Sequence, residues 1–403
     1  MLNKNNEREL AYIVKVTDVF PMEADRLERV MINGWAVVCA KGEFKKDDLG
    51  VFFEIDSQLP EVEPFNKIEF LKSKHYKIKS QKIRGVVSQG LLLPLSAFNF
   101  DHEVKEGDFL TRELGVTYYI KEDNRRKASN TQSKDKYKRM ASAHAKLFKL
   151  SFFRWLMKRQ WGKDLLYLFL GHQKYIPTDF PNHFEYIKKT DEERVENMPW
   201  ILSVVDNNGK KETWVKTTKI DGTSATYILE KKIFGYEFYV TSRNVRQIDD
   251  NQTNYHTTNG SSSNVYWDMA KKYNIKECLQ DLIDKENLAY ACIQGEIVGP
   301  NIQGNPHQLS EVQFFAFNYI DSVNGRYNSV KAKNILKEYN INFVPIIDKE
   351  YTLPDDLEEF KLSADGPCEL PGAKGLREGY VYRSQDGKRS FKNVSRQYLL
   401  KYQ

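Results

Sequence analysis

Five consecutive residues, Lys219-Ile220-Asp221-Gly222-Thr223, could do chemistry on phosphorus. A lysine amine attacks phosphorus only when it is deprotonated and held in line with a leaving group. A partly desolvated, cation-lined pocket that lowers its pKa is therefore expected around Lys219. Asp221 can help hold a metal through its water shell, Gly222 lets backbone approach a phosphate closely, and Thr223 can bond the turn. The segment lies between Trp214-Val215 and an alternating run over 224–229, which puts the lysine at a strand end, where it is rigidly held. The same five residues would suit a surface turn, and only the order of residues downstream separates the two readings.

The elements that must position this lysine can be read in outline. Residues 224–230 and 237–243 read as an antiparallel strand pair turning over 231–236, above a nucleotide pocket. Residues 264–284 carry helical periodicity in two pieces broken near Asn274. Residues 288–298 and 313–320 read as strands, 330–339 and 355–362 as helices, and 379–384 with 390–394 as a last strand pair with no domain after it. Thr190-Asp191-Glu192-Glu193 reads as a helix start with acids in its first turn. Ahead of all this, residues 11–19, 29–39 and 51–55 are β-formers punctuated by Gly34, Gly42 and Gly50, the pattern of a small barrel. Lys77, Lys79, Lys82 and Arg84 alternate with apolar residues, which puts their charge on one face of a strand. That fits an OB-type barrel offering a basic surface to nucleic acid, although any half-exposed strand alternates in this way.

Composition bounds the rest. A chain of 403 residues has room for two or three domains, and its 40% hydrophobic and 29% charged residues are those of a soluble globular protein. The longest apolar run, 165–170, is far short of a bilayer span, and residues 1–9 are polar and charged, so neither a membrane segment nor a signal peptide is expected. Cys39, Cys278, Cys292 and Cys368 have no paired spacing and the seven histidines no ligand spacing with them, which implies a reducing, cytoplasmic compartment and no structural zinc. Net charge is +6, but residues 121–163 hold 14 Lys or Arg against 3 Asp or Glu, a local +11 that leaves −5 for the remainder. Such a segment suits a polyanionic partner or a solvated linker. Within it, 124–137 reads as a flexible linker. Residues 141–170 read as an amphipathic helical segment, packing its aromatic residues and turning a basic face outward. The expected organisation is a barrel over 1–120, a basic helical linker over 121–175 and a catalytic domain over 176–403, an α+β chain of antiparallel sheets flanked by helices, acting as a monomer.

Six segments in order resemble the covalent nucleotidyltransferases, and specifically ATP-dependent RNA ligases of the branch with an N-terminal OB-like domain. They are Lys219-Ile220-Asp221-Gly222, Ser242-Arg243-Asn244, Gly295-Glu296-Ile297-Val298-Gly299 with its extension through Asn305, Phe314-Phe315-Ala316-Phe317, Glu378-Gly379-Tyr380-Val381-Tyr382 and Ser390-Phe391-Lys392. Phe53-Glu54-Ile55-Asp56-Ser57 and Arg84 to Leu91 are similar to the OB domain of that branch. The resemblance implies three steps: adenylylation of Lys219 by ATP, transfer of AMP to a 5′-phosphate, and attack by a 3′-hydroxyl, on RNA and at nicks in a duplex. It also implies Mg2+ or Mn2+ held through water by Asp221, Glu296 and Glu378. Glu296 would accept from a ribose hydroxyl, Phe317 or else Phe315 would stack on adenine, and Arg243 and Lys392 would neutralise phosphate. The family's last motif commonly presents a second lysine two positions on. Here Asn393-Val394 follow Lys392, leaving Lys388, Arg389 or Lys401 to supply that charge. A capping-type guanylyltransferase and a non-catalytic OB-containing binding protein are the rival readings. The first normally places its OB domain after the catalytic domain, and intact Lys219, Glu296, Glu378 and Lys392 argue against the second.

Overall fold

Alternating β-branched and aromatic residues near the N-terminus fold as short antiparallel strands, as their pattern requires. The computed structural model describes residues 1–3, 8–118, 151–157, 159, 161–163, 165–166, 180–205, 208–247 and 264–402. Strands β1 (Ala11–Lys15), β2 (Asp18–Pro21), β3 (Leu27–Ile32), β4 (Trp35–Ala40), β5 (Leu49–Phe53) and β6 (Ser57–Gln58) precede helix α1 (Glu69–Ser73). Strands β7 (Gln81–Ile83), β8 (Val86–Ser88), β9 (Leu91–Pro94) and β10 (Thr117–Tyr118) follow it. They pair as β1-β5-β9, β2-β3-β4, β7-β8 and β6-β10. The central sheet is buried on both faces. Tyr12 and Phe52 point into one core with Trp35, while Ile13 and Phe53 point into the other with Phe65. The lysine-rich stretch is not one strand. Tyr76 and Arg84 take positive φ (59° and 46°), so Lys77 and Lys79 lie half-buried before β7, and Lys82 and Arg84 sit exposed on the β7–β8 hairpin.

Of the helical segment, the described residues form α2 (Ser151–Met157), and Leu156 and Leu166 are buried with Phe153 and Met157 packed against them. Trp155 and Trp161 stay exposed, their rings 6.1 Å apart. The linker expected over 124–137 lies outside the described residues.

Two five-stranded sheets make the second half. The first contains β13 (Thr223–Lys231), β14 (Tyr236–Ser242), β15 (Tyr290–Val298), β16 (Gln313–Asp321) and β17 (Gly325–Arg326), in the order β14-β13-β15-β16-β17. Helices α3 (Val265–Lys272), α4 (Ile275–Glu286) and α5 (Ser329–Lys337) cover one face of it, closing a core around Tyr227, Ile293 and Phe314. The break between α3 and α4 falls at Asn274, which sits in the left-handed region (φ 48°). The second sheet runs β11 (Glu193–Arg194), β20 (Ser390–Val394), β19 (Gly379–Ser384), β12 (Thr213–Lys219) and β18 (Ile346–Thr352), and helix α6 (Leu357–Leu362) packs behind it. Helix α7 (Arg396–Tyr402) follows β20. The helix expected from Thr190 does not form. Asp191 is drawn to Lys392 and Arg243 and Glu192 to Arg383, all across the fold, and residues 193–194 pair parallel with β20. Those charge-assisted contacts outweigh a helix cap.

Candidate active site

Strand β12 ends at Lys219 in one sheet and, four residues later, β13 starts at Thr223 in the other, so Lys219 stands at the junction of the two sheets. Gly222 makes this crossing possible. A Cβ there would lie 2.3 Å from the Ile297 carbonyl oxygen and 2.9 Å from Glu296 Cγ, so the close approach that demands glycine is to β15. Lys219 pairs with Gly379 along β12 and β19, which brings the preceding residue, Glu378, alongside, and Lys219 Nζ lies 2.6 Å from Glu378 Oε1. The expectation of a lowered lysine pKa is overturned. Burial works to push the ammonium down, but Glu378, with Glu296 and Asp221 behind it, holds Lys219 above the usual lysine value. The nearest neighbours of the amine are carboxylates.

Cations collect around another carboxylate, Asp191. Asp191 accepts from Lys392 Nζ at 2.7 Å through one oxygen and from Arg243 Nη2 at 2.7 Å through the other. Burial alone would raise the Asp191 carboxyl, but Lys392, Arg243 and Arg8 hold it well below the usual carboxylate range. Burial, helped by Arg8, Arg194 and Lys219 and opposed by Asp191, pushes the Lys392 ammonium down to about 8.

Phe317 supplies the aromatic wall through a bulge. Gln294 faces Asn318 while the next residue, Gly295, faces Ala316, leaving Phe317 as the extra residue on β16. Phe315, one face-mate away, is buried in a core with Ile220 and Val298, whereas Phe317 is only partly covered. Arg383 fixes it from behind, donating to the Phe317 carbonyl at 2.9 Å. Beneath the Lys219 loop, buried His307 accepts the Asp221 N–H at Nε2 (3.0 Å), and Tyr398 donates to Asp221 Oδ2 (2.7 Å). Burial holds His307 below its usual pKa, so it is neutral with its proton on Nδ1.

One cavity of about 440 Å3 is lined by Lys219, Glu296, Phe317, Glu378 and Lys392 on one wall and by Arg8, Asp56 and Lys79 on the barrel side. Residues 10–95 match the family model of an OB-fold domain, and residues 212–403 match that of the RNA ligases. Residues 212–403 therefore form an RNA ligase domain. Among solved structures it is similar to Naegleria gruberi RNA ligase with PPi, at 27% identity over 98% of each chain with a TM-score of 0.69. A variant of that ligase with ATP and Mn matches at 27% identity over 97% of this chain and 98% of that one, with a TM-score of 0.69. Another, with AMP and Mn, matches at 26% identity over 97% and 98%, with a TM-score of 0.67. No curated protein matches the chain.

Within this ligase domain, the residues singled out from the sequence converge: Lys219, Asp221, Gly222, Arg243, Glu296, Phe317, Glu378 and Lys392 all line the cavity. Of the three lysines and one arginine assigned to nucleic acid, Lys79 lines it and Lys77, Lys82 and Arg84 do not. None of Lys388, Arg389 and Lys401 lines it either. Val394, at the position of the second lysine, faces the cavity and packs into the barrel core. Sequence reasoning missed Asp191, His307, Tyr398 and Arg383. Each acts across a gap of many residues, and only the acidic character of Asp191 gave any signal.

Proposed function

We propose that this RNA ligase consumes ATP and seals 3′-hydroxyl to 5′-phosphate RNA ends at nicks in a duplex, through AMP linked to Lys219. The observation that carries this reading is the convergence of the Lys219 amine, Glu296, Phe317 and the Lys392–Arg243 cation pair on one cavity. Solved relatives that hold ATP or AMP with Mn support it.

In the first step the Lys219 amine attacks the α-phosphorus, the N–P bond forms as the bond to pyrophosphate breaks, and the amine proton passes to Glu378, 2.6 Å away, or to water. Lys392 and Arg243 neutralise charge on the phosphate, Phe317 stacks on adenine, and Glu296 accepts from the ribose. A phosphate oxygen of the RNA 5′ end then takes AMP from Lys219, and the 3′-hydroxyl expels AMP as the phosphodiester forms. Asp221, Glu296 and Glu378 suit Mg2+ or Mn2+ held through water. Burial, together with Glu378 and Asp221, pushes Glu296 up to about 8 against the pull of Lys219, a surplus of negative charge that a divalent cation relieves. The buried Glu378 Oε2 has no hydrogen-bond partner among the described residues. The three carboxylates are not gathered to direct-ligand spacing, which fits contact through water. An ion bound there supplies charge that favours the neutral Lys219 amine and quenches the α-phosphate.

Exposed Lys82 and Arg84, with Lys77 and Lys79, are proposed to track the RNA backbone. The four unpaired cysteines support a reducing, cytoplasmic setting, and we take the working unit to be a monomer. The test is incubation with ATP labelled at the α-phosphate and a divalent metal. Wild type should form a labelled protein adduct that Lys219→Ala does not, and an undiminished adduct in that variant would remove Lys219 from the role. Sealing of a nicked RNA duplex should exceed joining of free single strands; the reverse order would overturn the nick assignment.

A further inference from the structure

We propose that Asp191 is a positioning residue of nucleotidyl transfer, a single carboxylate that clamps Lys392 and Arg243 in the places from which they receive phosphate. The inference rests on the function proposed above and assigns Asp191 a part in it. Both carboxylate oxygens are used, one for each cation and each at 2.7 Å. Asp191 and Lys392 are each only 7% exposed, while Arg243 is 39% exposed.

The clamp is itself anchored. Two residues on, β11 runs parallel to β20, with Glu193 opposite Phe391 and Arg194 opposite Lys392, so carboxylate and ammonium are held by neighbouring strands. On the other side, Thr190 Oγ1 lies 2.8 Å from Ser224 Oγ on β13, and the Lys188 carbonyl accepts from Gln294 Nε2 at 2.9 Å, tying the segment to the opposite sheet. The 188–194 segment therefore bridges both walls of the cavity beside the nucleophile.

Donor counting shows why a carboxylate belongs in a phosphate site. An ammonium has three N–H donors and a guanidinium five, so Asp191 takes one from each and leaves two on Lys392 and four on Arg243 for a phosphate. Two long cationic side chains beside each other would otherwise repel and sample many rotamers, and burial already works against the Lys392 charge. Asp191 offsets the repulsion and fixes the aim. Its own negative charge lies close to the incoming phosphates, so it favours geometry at the expense of nucleotide affinity. A residue that served only the fold would not separate those two quantities.

The experiment is single-turnover formation of the labelled adduct by wild type, Asp191→Asn and Asp191→Glu, alongside equilibrium binding of α,β-methylene-ATP and thermal melting. Asp191→Asn removes the charge and is expected to lower the rate about 10- to 100-fold through misplaced cations, with a dissociation constant for the analogue equal to or below that of wild type. Asp191→Glu keeps the charge, and so the fold, but moves it by one methylene; it should also lose rate at unchanged melting temperature, and it decides the matter if Asp191→Asn does not fold. A rate within about twofold of wild type in either folded variant would overturn the clamp, as would a loss of rate matched by an equal loss of affinity. Absence of any adduct from wild type would sink the proposed function, whereas full-rate adduct from the variants would sink the clamp alone.

Discussion

At the scale of single residues, the cavity separates side chains that the sequence leaves equivalent. Phe315 and Phe317 share a strand and a spacing, yet Phe315 is 4% exposed in a core with Ile220 while Phe317 lines the cavity. Phe317→Ala should weaken ATP binding by about 1–3 kcal/mol in a titration and leave the melting temperature nearly unmoved. Phe315→Ala should instead cost about 3–5 kcal/mol of stability in denaturant unfolding. Interchanged results would assign the adenine wall to Phe315. Lys392 carries a pH dependence. Burial sets its pKa at about 8, so its charge is present below that pH and is lost as pH rises through it. With charge needed on the phosphate, the adenylylation rate should fall on the alkaline side of about pH 8. Lys392→Arg, whose guanidinium stays ionised, should flatten that limb whatever its absolute rate. An unchanged profile in the variant would assign the limb to another group.

Individual elements are tuned where the sheets meet. Strand β12 delivers Lys219, β19 delivers the backbone next to Glu378, and β15 delivers Glu296, which faces Ser224 on β13. The cross-strand register sets the spacing of these groups to within a fraction of a residue, because a slip of one position would turn every side chain to the other face. Gly222 is the tight point. A methyl group there would meet the Ile297 carbonyl and Val298 Cγ1 at 2.3 and 2.6 Å. Gly222→Ala should therefore cost about 1–3 kcal/mol by chemical denaturation and suppress the Lys219 adduct, since relief requires the β12–β13 crossing to move. A variant with wild-type stability and adduct would show that the crossing has slack. The β16 bulge is a second such device. It reverses the phase of the strand, so that Tyr319 joins Phe314 and Ala316 in the helix-covered core.

Across the whole molecule, the barrel and the ligase domain are joined through a buried polar hub. Glu54, fully buried in the barrel, accepts from Tyr12 Oη and from Asn197 Nδ2, both at 2.8 Å, and pairs with Arg8 at 2.9 Å. Asn197 in turn accepts from Trp35 Nε1 at 2.6 Å. Val394 and Leu399, from the far end of the chain, complete the barrel core. Burial opposes ionisation of Glu54, but the Met1 ammonium and Arg8 hold its carboxyl well below the usual range. A depressed carboxyl stabilises the folded state above its unfolded pKa, near 4.5, and that contribution is lost as pH falls below it. Glu54→Gln, which removes the partner of the Met1 ammonium and leaves Arg8 only its longer contact with Asp56, should cost about 3–5 kcal/mol at neutral pH. The gap in melting temperature between wild type and variant should narrow as pH falls below about 4.5, and a constant gap would exclude the charge as its source. The sequence by itself determined the order of motifs, the α+β class, the pause at Asn274 and the last strand pair, whose bounds, Gly379–Ser384 and Ser390–Val394, agree with expectation. All of these follow from local periodicity and turn chemistry, which a strand or helix carries in its own residues. Only the tertiary structure decided that Glu378 rather than a cation meets Lys219, that Phe317 rather than Phe315 lines the cavity, and that Asp191 binds two cations instead of capping a helix. Those outcomes join residues up to 201 positions apart, and charge and burial at such contacts are set by sheet register and domain packing, which leave no periodic trace in the chain.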